Sequence, residues 1–128
     1  MRVFYSHPMK LYGTEAERME IALIERRFVG CEIVDPSAQQ PNEPGREMEF
    51  YLGLVDSCDC LVFSRLFGYV SEGVKPEVEH ALSGGKPVYE IRDGRFIPVT
   101  GPVANLPILE RLILRAKGAL GMWRRESR

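Results

Sequence analysis

The chain has little cysteine, almost no net charge and no long apolar run. Its three cysteines, Cys31, Cys58 and Cys60, form an odd set without CxxC spacing, which excludes a disulfide framework and leaves buried, reduced thiols as the reading. With only His7 and His80 as imidazole ligands, no metal site is expected. Seventeen lysines and arginines against eighteen acids give a net charge of -1, so the sequence carries no electrostatic footprint for long nucleic acid. The apolar stretch at residues 106–114 is broken by Pro107, Glu110 and Arg111 and falls short of the ~20 residues of a membrane span. The first residues read as a strand followed by polar residues rather than as a signal peptide, and a cytoplasmic location is expected. A GxGxxG fingerprint is also missing, which disfavours a nicotinamide-dependent dehydrogenase.

What is there is the composition of an ordinary globule. The 128 residues are 45% hydrophobic and 27% charged, the size and balance of one domain spanning residues 1–128. Residues 2–6 contain the β-prone Val3, Phe4 and Tyr5 and stop at His7-Pro8, where proline removes a ladder donor. Thr14 stands three residues before Glu17 as a capping box, and Met19, Ile21, Ala22, Leu23, Ile24 and Phe28 make a broad apolar stripe that predicts a helix to about Val29, ended by Gly30. Residues 31–34 supply a second strand and residues 37–43 a polar loop. From Pro44 onward Met48, Tyr51, Leu52 and Val55 recur at helical spacing, and residues 60–63 form an apolar run suited to a strand buried on both faces.

After a loop at residues 64–72, Pro76 and Gly84-Gly85 bracket a third helix, with a fourth strand at residues 86–91. Asp93-Gly94 signals a tight turn, so residues 95–99 either return antiparallel or form a short fifth strand, with Pro98 favouring the sheet edge. Asn105 can cap a last helix whose Leu109, Leu112, Ile113 and Ala116 face the core. The fold class is therefore α/β: a doubly wound, mostly parallel sheet of four to five strands with helices on both faces, Rossmann- or flavodoxin-like.

Such sheets bind ligands beyond the C-terminal ends of their strands, where the winding reverses. If the first strand lies beside the third, two loops matter: Tyr5-Ser6-His7-Pro8-Met9, and residues 71–77 leading into the third helix. Glu77 in that helix's first turn faces orphan N–H groups and the positive end of the dipole, which favour its ionised form by roughly 0.3–1 kcal/mol. It is either a structural first-turn charge or an anion suited to attack on an electron-poor carbon such as an anomeric centre.

The stretch Gly73-Val74-Lys75-Pro76-Glu77-Val78-Glu79-His80-Ala81, continuing to Gly85-Lys86-Pro87-Val88, resembles the signature of the nucleoside 2-deoxyribosyltransferase-like superfamily, including its deoxynucleotide N-glycosidase branch. Asp59 before Leu61-Val62-Phe63 looks like that family's third strand, and Val3 to Met9 like its opening strand and substrate loop. The resemblance covers roughly residues 1–91. It departs at Glu79, where many members have glycine, in an opening loop without a Gly-rich turn, and at Tyr51, where many members carry an aspartate eight residues before the position of Asp59.

The resemblance implies cleavage or exchange of the N-glycosidic bond of a 2′-deoxynucleoside or its 5′-monophosphate, with Glu77 as nucleophile and no cofactor. It implies a small-molecule partner and a homodimer or higher homo-oligomer, for which Leu112, Ile113, Leu120, Met122 and Trp123 offer an apolar contact. Tyr5 either orients Glu77, contacts the sugar or is a half-buried strand aromatic. Glu47, one helical turn before Tyr51, either replaces the missing acid or is a solvated first-turn charge. Ser6, Pro8 and Met9 belong to the substrate loop, and Ser71 with the Gly73 amide offers donors to a sugar or phosphate. His7, when protonated, is a phosphate contact or simply a loop residue, and Arg46 and Arg65 are further phosphate candidates. Phe67 and Tyr69 either sandwich a nucleobase or form a local loop core. The alternative to an enzyme is a non-catalytic nucleotide-binding module on the same fold.

Overall fold

A computed structural model describes residues 1–39, 45–104, 112 and 116. Among residues 1–39 and 45–104, five strands and three helices follow one another: β1 at Arg2–Ser6, α1 at Glu15–Arg27, β2 at Glu32–Val34, α2 at Glu47–Asp56, β3 at Cys60–Phe63, α3 at Val74–Ser83, β4 at Val88–Arg92 and β5 at Arg95–Pro98. They form one sheet in the order β2-β1-β3-β4-β5. β1 pairs in parallel with both β2 and β3, β3 in parallel with β4, and β4 antiparallel with β5. The fold is α/β and Rossmann- or flavodoxin-like, and the winding reverses between β1 and β3.

Side-chain alternation along the central strands sorts the core into two clusters. Phe4, Leu61 and Phe63 meet Val55 of α2 and Val74, Val78 and Ala81 of α3, while Val3, Tyr5 and Val62 meet Ile24 of α1. β3 is buried at all four positions, as a continuous apolar run requires. Each large side chain removed from water in this way contributes roughly 1.5–3 kcal/mol.

Local chemistry sets the element ends. Thr14 accepts a hydrogen bond from the Glu17 amide at 3.2 Å and caps α1. The Glu17 carboxylate, however, accepts from the Gly13 amide at 3.0 Å rather than closing the box on Thr14. α1 ends at Arg27, with Val29 and Met19 exposed: the buried stripe is narrower than the run of apolar residues, because α1 covers the sheet with one face only. Asp93 (φ 51°) and Gly94 (φ 73°) form the turn that returns β5 antiparallel to β4, which resolves the two alternatives left by the sequence. Pro98 lies on the edge strand, where its missing N–H breaks no ladder. Of the polar loop expected at residues 37–43, residues 40–43 lie outside the described residues, as do Pro44 and all of the last helix expected from Asn105 except Leu112 and Ala116; both of these are exposed and do not face the core as expected. No helix among the described residues is long and apolar enough to cross a membrane.

Ile24 is fully buried beneath α1 at the centre of the second cluster. Truncation to alanine is expected to cost about 2–5 kcal/mol, read as a lowered urea midpoint with little change in slope.

Candidate functional site

The reversal point holds a cavity of about 570 Å³ lined by His7, Met9, Tyr12, Pro36, Ser37, Met48, Tyr51, Tyr69, Ser71, Glu72, Gly73 and Glu77. Its walls come from the ends of β1 and β2, from α2 and from the loop entering α3. Glu77 enters it for a reason visible in α3: Val74, Glu77, Val78 and Ala81 are the buried positions of the helix, spaced i, i+3, i+4 and i+7, so a carboxyl occupies one place in an otherwise apolar stripe. Pro76 sits in the same first turn, where its missing N–H costs nothing.

Glu77 is 6% exposed, and its Oε1 accepts a hydrogen bond from the Ser6 hydroxyl at 2.6 Å. Burial raises its pKa to about 7, against the lowering supplied by Ser6. The expectation that the helix dipole keeps Glu77 anionic at neutral pH is thereby corrected. A dipole effect of about 1 kcal/mol is under one pKa unit, and desolvation outweighs it. Near pH 7 the carboxyl populates both protonation states.

Tyr5 does not reach Glu77. Its side chain belongs to the opposite cluster, and its hydroxyl donates to Glu20 Oε1 at 2.5 Å, an oxygen that also accepts from Ser64 Oγ at 2.8 Å. Burial first, then the neighbouring Glu20 charge, holds the phenol well above its ordinary range, and burial likewise raises Glu20. The Tyr5 ring stacks on His7 with centroids 3.7 Å apart.

His7 lines the cavity, but both its nitrogens are committed inward. Nδ1 lies 3.0 Å from the Tyr5 carbonyl and Nε2 lies 2.6 Å from Glu17 Oε2, and the side chain is fully buried. This leaves no ring nitrogen for a phosphate. Ser6 acts beneath the cavity through Glu77, and Pro8 is the residue preceding the 3₁₀ turn Met9–Leu11. Met9, Tyr51, Tyr69, Ser71 and Gly73 all border the cavity, with Ser71 Oγ also 3.4 Å from the Val74 amide at the start of α3.

Three further expectations fail on position. Glu47 is fully exposed, accepts from the Gly45 amide at 3.1 Å and has its pKa lowered by backbone hydrogen bonds, so it is a solvated first-turn charge of α2 and does not replace the missing acid. Arg46 forms an exposed ion pair with Glu49 at 2.8 Å. Arg65 is held by Glu90 at 3.1 Å. Phe67 (φ 50°) and Gly68 (φ 77°) make a tight turn bridged by Leu66 and Tyr69, which sends Phe67 to a separate cavity beside Glu20 and Arg92. Phe67 and Tyr69 therefore cannot sandwich one base.

Tyr12, Pro36, Ser37, Met48 and Glu72 border the cavity without having been singled out as site residues. Pro36 and Ser37 follow β2, so the strand-end rule that selected the loop after β1 would have found them; Met48 precedes Tyr51 by one helical turn. Tyr12 carries no local signal, and its pKa is pushed up to about 12 by burial and then by the Glu77 charge.

No family model, curated protein or solved structure matches the chain.

The Glu77 pKa of about 7 lies above the ordinary carboxylate value of 4.5, so between these limits the folded protein retains a proton that the unfolded chain has released. Stability from this group is present below about pH 4.5 and is lost as pH rises to about 7. Glu77→Gln removes that dependence. The variant is expected to exceed the parent in stability at pH 8 by on the order of 3 kcal/mol, with the gap closing at pH 4.5, as read by urea unfolding across the range.

Proposed function

We propose that the protein cleaves or exchanges the N-glycosidic bond of a 2′-deoxynucleoside or its 5′-monophosphate. The observation that carries the reading is Glu77: a carboxyl buried in the cavity at the strand-reversal point, with one oxygen held by Ser6. Holding Oε1 fixes the carboxyl plane and leaves Oε2 as the oxygen available to a ligand. The resemblance of residues 73–88 to the nucleoside 2-deoxyribosyltransferase-like signature supports the same role for the same residue.

In this reading a Glu77 oxygen attacks C1′, the bond to the base nitrogen breaks with its electron pair, and the departing base takes up a proton. Water then attacks C1′ of the glycosyl-enzyme, the bond from C1′ to the Glu77 oxygen breaks, and water gives up to solvent a proton that balances the one taken by the base, releasing the sugar and regenerating the carboxylate; a second base that loses its N–H proton in place of water gives exchange. Hydroxyls of Ser37, Tyr51 and Ser71, all on the cavity wall, are of the right type to meet sugar hydroxyls. A homo-oligomer belongs to the proposal, and Leu112, which is exposed, is one of the residues offered for its contact.

The test is incubation of the chain with ribo- and deoxynucleosides and their 5′-monophosphates, with free base followed by chromatography and a second base added to detect exchange. Base release is expected to fall about 10³-fold or more in Glu77→Gln and, in the parent, to rise with pH through an apparent pKa of about 7 as the nucleophile ionises.

One observation favours the non-catalytic reading: Glu47 is exposed and Tyr51 stands on the cavity wall where an acid was sought. That reading gives thermal stabilisation by a nucleoside or nucleotide with no base released from any substrate.

A further inference from the structure

The fold brings together three potential ligands that are far apart in the sequence: His7 after β1, Glu17 in the first turn of α1 and Asp35 after β2. One donor atom from each lies within 4.8 Å of the others. His7 Nε2 is 2.6 Å from Glu17 Oε2 and 3.9 Å from Asp35 Oδ1. The imidazole is fully buried and the two carboxylate side chains are 10% and 14% exposed, unlike the solvated acid clusters common on protein surfaces.

Each group is aimed by a backbone contact. His7 Nδ1 can only donate to the Tyr5 carbonyl at 3.0 Å, which turns Nε2 toward the carboxylates, the arrangement that fixes the tautomer of metal-bound histidines. Glu17 Oε1 is held by the Gly13 amide at 3.0 Å, leaving Oε2 for the cluster. Asp35 Oδ1 accepts from the Ser37 amide at 2.8 Å.

Charge supplies an independent argument. With Nδ1 committed as a donor, the short contact between Nε2 and Glu17 must contain one proton. No lysine or arginine is ion-paired with Glu17 or Asp35 among the described residues, so a divalent cation would supply opposite charge beside two largely buried acids.

We infer that His7, Glu17 and Asp35 bind one divalent first-row transition cation. One imidazole and two carboxylates suit zinc, with ligand bonds of about 2.0–2.2 Å. Tetrahedral placement sets donors about 3.4 Å apart, so His7 and Glu17 separate by less than 1 Å and Asp35 moves in. Binding releases the shared proton. The cation ties β1, α1 and β2 together at the cavity edge, since His7 and Ser37 also line the cavity. The sequence reading missed this site because each ligand is isolated along the chain. The inference does not rest on the glycosidic reading, and its test does not use activity.

The full chain, freed of metal by chelation and desalting, is titrated with zinc chloride by calorimetry, and with cobalt(II) chloride by visible absorption. Expected are one zinc per chain, about one proton released per zinc in weakly buffered solution, and a cobalt spectrum without a thiolate charge-transfer band. Asp35→Asn keeps the carbonyl oxygen that accepts from the Ser37 amide and is expected to weaken zinc binding at least about tenfold, as is His7→Gln. Circular dichroism establishes that each variant is folded, and Asp35→Asn alone suffices if His7→Gln is not. Cys31→Ser, which removes the one partly exposed thiol, is expected to bind as the parent does. Absence of stoichiometric binding overturns the assignment. So does binding that survives in folded Asp35→Asn but is lost in Cys31→Ser.

Discussion

Strand β1 has to satisfy two faces of the sheet within five residues, and the rest of the site follows from how it does so. It is paired on both sides, by β2 and β3, so none of its side chains can avoid a commitment to one layer. Val3 and Tyr5 go to the cluster under α1, and Phe4 goes to the cluster under α2 and α3. At the strand's end the same alternation separates two polar side chains. The Tyr5 hydroxyl meets Glu20 of α1, and the Ser6 hydroxyl meets Glu77 of α3. A shift of register by one residue would exchange these partners and place a phenol where the cavity needs a small hydroxyl.

Both of those acids are answered by hydroxyls rather than by cations. Glu90, by contrast, is held by Arg65 and Arg92. A hydroxyl satisfies the hydrogen-bonding need of a buried carboxylate but supplies no opposite charge, so desolvation is only partly offset and the pKa rises. That is the direction found for Glu20 and Glu77 alike. What distinguishes them is the number of donors and the cavity each borders. Glu20 has its Oε1 shared by Tyr5 and Ser64 and borders the separate cavity beside Phe67, whereas Glu77 has one hydroxyl partner and borders the cavity at the strand reversal.

The parts legible in the sequence were those encoded by periodicity and punctuation. The apolar run at residues 60–63, the Asp93-Gly94 turn and the placing of α3 between Pro76 and Gly84-Gly85 were read correctly because each is set by residues close in the chain. Glu77 was legible as an acid in a first turn, and its pKa was not, because desolvation depends on how Ser6 and the sheet close over it. The error at Glu47 has a related cause. Its spacing from Tyr51 places the two on one helix face, but Glu47 lies in the first turn of α2, where the Gly45 amide holds its carboxylate in solvent. Phe67 was misplaced because two successive positive φ values reverse the chain between it and Tyr69. The partners of Tyr5 and His7 on α1 follow from helix packing across the sheet, which no local pattern specifies.

His7 is where the two halves of the arrangement meet. It borders the cavity, stacks on Tyr5 and holds Glu17, yet it turns no nitrogen toward a molecule in the cavity. Its contribution to the cavity is therefore a fixed wall: two inward hydrogen bonds and one ring stack leave the imidazole no freedom to turn outward without uncovering the buried Glu17 carboxylate. Removing His7 from the roster of groups that can exchange a proton with a ligand leaves Glu77, Glu72 and the hydroxyls of the wall. The hydroxyls offer hydrogen bonds to a ligand, and the Tyr12 phenol is pushed up to about 12 by burial. Of the two acids, Glu77 is the buried one with an oxygen anchored by Ser6, and it is the group on which the proposed chemistry rests.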